Sequence, residues 1–172
     1  MAIFKDRFTP QGLAQIFVYC AFPIHVWALI NMFQDVPSWV LYLRGWEVIG
    51  MVAYTLSFAM FETLSVLMVV LLIGMIVPKG WVMEKVVPLV SLWLVELAIM
   101  AILFQHHILH HLPKRELVMG YALILAVSAF IVLRFPRVGD IFRWVAERLV
   151  VLSFLYIFFD VLGLLVVILR NA

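Results

Sequence analysis

Eight side chains suited to proton, cation or metal chemistry lie within or at the ends of long apolar runs: Glu62, Glu96, Asp160, His25, His106, His107, His110 and His111. The three carboxylates fall near the centres of their runs, at one expected depth in a bilayer. A charge at that depth costs at least about 2.5–3.5 kcal/mol, so each carboxylate is expected to face the bundle interior, to pair, or to hold a proton. No lysine or arginine shares the depth. The chemistry this implies is proton or cation handling by a common cluster, or pairing with a basic residue of a partner subunit. Helical spacing aligns Ser153, Tyr156 and Gly163 with Asp160, and Thr55 and Ser65 with Glu62, as two inward polar faces. Around Glu96 the same spacing brings only Leu92, Trp93, Ile99 and Met100.

The histidines offer a second chemistry. His106, His107, His110 and His111 form two pairs at i, i+4, a spacing from which neutral imidazole nitrogens can hold zinc, copper, iron or nickel. The stretch His107 to His111, read as H-x-x-H-H, resembles one histidine box of the membrane di-iron desaturases and hydroxylases. Proteins of that kind use several such boxes, and here only His25 stands outside the cluster, so a complete di-iron site from this chain alone is excluded. A single transition metal on the cluster, and a haem held axially by His25 and one histidine of the cluster, are the cofactor arrangements left open. The plainer expectation places the cluster at the headgroup level, where a partly charged histidine complements a helix C-terminus.

The elements that must position these groups are set by composition. The chain is 67% hydrophobic and 13% charged, with a mean hydropathy of +1.17, against roughly 45–50% and 25% in an ordinary soluble domain. A hydrocarbon core about 30 Å thick needs roughly 20 apolar residues per helical crossing. The sequence therefore predicts an all-α, polytopic integral membrane bundle: a single transmembrane domain over 1–172 with about five helices, near 10–33, 47–77, 86–111, 117–133 and 149–169. Thr9-Pro10 marks the first start, an N-cap oxygen followed by a residue whose missing N–H costs nothing in the first turn. Pro78-Lys79-Gly80 suits a tight turn between the second and third helices.

Small residues predict where helices pack. Ala14, Val18, Ala21, His25, Ala28 and Met32 recur along one face of the first helix, and Ala122, Ala126 and Ala129 along the fourth. Pro23 is expected to kink the first helix. Two connecting stretches are unusually apolar: 34–46, with Trp39, Tyr42 and Trp46, and 134–148, with Phe142 and Trp144. Tryptophan and tyrosine favour the headgroup level, so both are read as interfacial segments, with Gly139-Asp140 as a helix start in the second.

Eight lysines and arginines gather on one predicted side and four on the other, which places the N-terminus in the cytoplasm, the C-terminus outside and the chain in the cell membrane. The net charge of +2 is too small for a nucleic-acid footprint. Cys20, the only cysteine, is expected to be a buried apolar residue, and the first apolar run an uncleaved crossing. No nucleophile triad, phosphate-binding glycine loop or dinucleotide fingerprint appears. The leading expectation is a small, non-enzymatic multi-pass protein, transporter-like or a membrane subunit, that needs no cofactor. Its partners are the lipid bilayer and other membrane subunits or further copies of itself. The alternative is a transition-metal- or haem-binding membrane enzyme subunit using the histidines.

Overall fold

Thr9 and Pro10 start the first helix as their chemistry requires: the Thr9 hydroxyl accepts the Gly12 N–H at 3.1 Å and Pro10 occupies the first helical position. The computed structural model of the chain describes residues 8–76, 85–105 and 113–172. They form α1 (Pro10–Tyr42), α2 (Gly45–Ile76), α3 (Val87–Gln105), α4 (Lys114–Arg134) and α5 (Pro136–Asn171), with no strand among the described residues. Each helix is long and apolar enough to cross a membrane. By length and composition the chain is a multi-pass, all-α membrane bundle, as the sequence predicts.

The two stretches read as interfacial segments are largely helical and continuous with the neighbouring helices. α1 runs on through Pro37 to Tyr42, and α5 begins at Pro136, well before the expected start near 149. Proline at the first position of a helix forfeits no hydrogen bond and brings its φ already set, so Pro136 opens α5 ahead of Gly139-Asp140. The extension is held by packing. Gly139 lies against the Pro88 ring, the Phe142 ring meets Tyr19 at 5.3 Å, and Ala146 is buried. At 33 and 36 residues, α1 and α5 are each about 50 Å long or more, so they exceed a 30 Å hydrocarbon core and must tilt or protrude.

Two short connections fix the directions. Only Leu43 and Arg44 separate α1 from α2, and the Arg44 N–H donates to the Glu47 carboxylate at 2.8 Å, the reciprocal half of a capping box. Phe135 alone joins α4 to α5. α5 runs antiparallel to α2: Arg170 folds over Gly50, and Gly163 faces Ala53. α3 runs parallel to α1, with Gln15 meeting Ser91 near one end and Gln105 meeting Asn31 near the other.

In lipid there is little hydrophobic drive between helices, so close packing of small residues and interhelical hydrogen bonds decide the faces. On α2 the buried positions are Gly50, Ala53, Ser57, Ala59, Thr63, Val70 and Gly74. A Cβ added at Gly163 would stand 3.0 Å from the Ala53 carbonyl oxygen and 3.3 Å from the Leu56 Cβ, which shows how closely α5 lies on this stripe. A second contact region joins Ile16 and Cys20 of α1 with Val70 of α2 and Val87 and Val90 of α3. Cys20 is free and buried there, as its place in the first run suggests.

Candidate functional site

α1 and α5 bring together a histidine and a carboxylate deep in the bundle. His25 is 2% exposed and Asp160 4%, and the His25 Nε2 lies 3.1 Å from Oδ1 and 3.0 Å from Oδ2 of Asp160. The other ring nitrogen, Nδ1, is 2.8 Å from the Ala21 carbonyl oxygen. A carbonyl only accepts, so Nδ1 carries a hydrogen. Between Nε2 and Asp160 there is then room for one proton, and two descriptions satisfy it: imidazolium with carboxylate, or neutral imidazole accepting from a carboxylic acid. Either way the pair is neutral as a unit, which is what burial in a low-dielectric interior favours.

The surroundings hold the imidazole in place. The Tyr156 ring, one turn before Asp160 on α5, stacks on His25 at 4.7 Å with the planes 16° apart. Pro23, two residues before His25, has no N–H to give the Tyr19 carbonyl, and Tyr19 turns its hydroxyl to donate to the Phe142 carbonyl at 2.8 Å. On α2, the hydroxyls of Ser57 and Thr63 are buried and, among the described residues, have no hydrogen-bond partner. The antiparallel register that sets Gly163 on Ala53 carries Ser57, one turn along α2, toward the level of Asp160, one turn back along α5.

The three carboxylates expected to share one site take three surroundings. Asp160 meets His25. Glu96 faces α4, where the Ser128 hydroxyl lies 3.1 Å from its Oε2 and the Trp93 Nε1–H donates to Ser128 Oγ at 3.2 Å. Glu62 is exposed on α2 and lines an apolar cleft between α1 and α3. The α2 hydroxyls read as an inward face also turn elsewhere: Thr55 donates to the Met51 carbonyl and Ser65, exposed, to the Phe61 carbonyl. The stripe of Gly50, Ala53 and Ser57 takes the inward position because it admits α5 more closely than a face carrying Glu62.

His25 as a haem or metal ligand meets an obstacle of the same kind. With Nδ1 protonated toward Ala21 and Nε2 engaged by Asp160, no ring lone pair is open while the pair is intact. His106, His107, His110 and His111 lie outside the described residues. Among the described residues, no group of three or more histidine, cysteine, aspartate or glutamate side chains is placed to hold a metal ion.

The chain matches no known protein-family model, no curated protein and no solved structure. The partnership of His25 with Asp160 was missed from sequence, although its signal is present. His25 stands on the stripe of Ala21 and Ala28 that predicts close packing, so the helix seated there must answer its polar ring. Among the carboxylates, Asp160 stands with a glycine one turn on, and that glycine lets α5 come near.

Proposed function

We propose that this chain is a cell-membrane protein whose buried His25–Asp160 pair handles protons, either in transport or within a larger membrane assembly. The observation that carries the reading is the approach of His25 Nε2 to both carboxylate oxygens of Asp160, at 3.1 and 3.0 Å, with both residues buried. Ionisable groups inside a bilayer are expensive, and proton relays are a principal reason for keeping them. The pair can gain or lose a proton only by becoming charged in the interior, so each transfer is a discrete event coupled to its surroundings. Pro23 supports the reading, since the broken hydrogen-bond ladder beside His25 gives α1 a point at which to flex. The unpartnered hydroxyls of Ser57 and Thr63 add polar positions that water can bridge. The lysine and arginine asymmetry supports a cytoplasmic N-terminus and an external C-terminus.

The test is proton flux into liposomes containing the purified protein, read by an entrapped pH-sensitive dye under an imposed potential. Flux above that of empty liposomes, lost in Asp160→Asn and His25→Gln while both variants remain folded, supports proton handling. Equal flux in wild type and both variants assigns the pair to holding α1 on α5. A stable co-purifying membrane protein, with flux only in the complex, places the chain as a subunit.

A further inference from the structure

On the side of α1 away from Asp160, the chain forms an open cleft of about 350 Å³ between α1 and α3, with one edge of α2. Its walls are apolar and partly aromatic, with Phe22, Pro23 and Trp27 on α1 and Leu94 and Ala98 on α3. Among the described residues, Glu62 is the only charged side chain that lines it. Glu62 lies near the middle of α2, is exposed, and has no hydrogen-bond or ion-pair partner among the described residues. An apolar cavity of a few hundred Å³ with one well-placed polar group is the usual form of a small-molecule site.

We propose that this cleft binds a small lipophilic organic cation, with its positive centre at the Glu62 carboxylate and its apolar body between Trp27 and Leu94. Charge decides the class. A carboxylate at mid-bilayer lacks water, and a bound cation replaces the missing counter-charge while the apolar walls take the rest of the molecule. The aromatic rings of Phe22 and Trp27 suit the same ligand, because the face of an aromatic ring attracts a weakly hydrated cation. Depth decides against a lipid headgroup, whose ammonium stays at the membrane surface, some 15 Å from the bilayer centre. The cleft is separate from the His25–Asp160 pair, since Ile24, Val26 and Trp27 of α1 line it while His25 turns to α5.

The probe is tetraphenylphosphonium, titrated onto the full chain in lipid nanodiscs and followed by quenching of tryptophan fluorescence and by equilibrium binding of the labelled cation. Wild type is expected to bind one cation per chain, saturably. Glu62→Gln, nearly isosteric, should weaken binding at least about tenfold, the effect of losing one coulombic partner away from water. Ala98→Phe should fill the cleft and abolish binding with Glu62 intact. Neutral triphenylphosphine oxide should not compete. Absence of saturable binding by wild type, or equal binding by wild type and Glu62→Gln, would overturn the proposal. A dimer that depends on Glu62 in a protein that does not bind the cation would also overturn it, giving the cleft to a second copy. Circular dichroism and a monodisperse gel-filtration profile show that each variant is folded.

Discussion

The imidazole of His25 reaches from α1 to α5 and places Nε2 almost equally between the two carboxylate oxygens of Asp160, at 3.1 and 3.0 Å. With Nδ1 fixed on Ala21, this near-symmetric approach leaves one shared hydrogen-bonding position between the two side chains. It joins the first and last of the described helices and supplies the counter-group that neither lysine nor arginine offers at that depth.

Removing one member of the pair should cost more than removing both. His25→Ala or Asp160→Ala leaves a buried polar partner unanswered and is expected to destabilise the protein by about 3–5 kcal/mol. The double change His25→Leu with Asp160→Leu replaces the pair by apolar volume and should come close to wild type in stability. Thermal unfolding in detergent, with ligand-free protein at fixed pH, measures all three. Additive losses in the double variant would show that the two side chains are not coupled.

Two glycines should respond oppositely to the same substitution. Gly163→Ala places a Cβ 3.0 Å from the Ala53 carbonyl oxygen, so α5 must move away from α2, at a cost of about 1–3 kcal/mol. Gly120 on α4 has open space around it, and Gly120→Ala should stabilise its helix by roughly 0.5–1 kcal/mol. The same unfolding assay separates them. Equal effects would mean that α5 does not lie closely on Ala53.

Ser128 should matter to α3 through both of its neighbours. Ser128→Ala removes the hydroxyl that approaches Glu96 Oε2 at 3.1 Å and the acceptor of the Trp93 Nε1–H at 3.2 Å, though Trp93 keeps the Leu125 carbonyl at 3.3 Å. The expected loss is about 1–2 kcal/mol, with a shift of tryptophan emission. Glu96→Gln keeps a hydrogen-bonding group at that position and should cost less. A larger loss in Glu96→Gln than in Ser128→Ala would indicate that Glu96 serves another partner.

The sequence by itself determined the class of this protein. Long apolar runs broken by Thr9-Pro10, Pro78-Lys79-Gly80 and Pro113 specify membrane-crossing helices, because hydrophobic length and local capping act along the chain and need no neighbour. The same local signals fell short where packing prolonged a helix. Gly139, Phe142 and Ala146 continue at helical spacing the face that carries Ser153, Tyr156, Asp160 and Gly163, yet the last helix reads as starting near 149 until Tyr19 and Pro88 are seen against the preceding stretch. Only the tertiary structure decided which polar groups meet. Glu62, Glu96 and Asp160 look alike as carboxylates at mid-helix, and a shared depth suggests a shared site. Helix rotation is set by which small residues admit a neighbour most closely, a property of two surfaces at once. The approach of Gly163 to Ala53 turns Asp160 to His25, leaves Glu96 to Ser128, and turns Glu62 to the cleft beside Trp27.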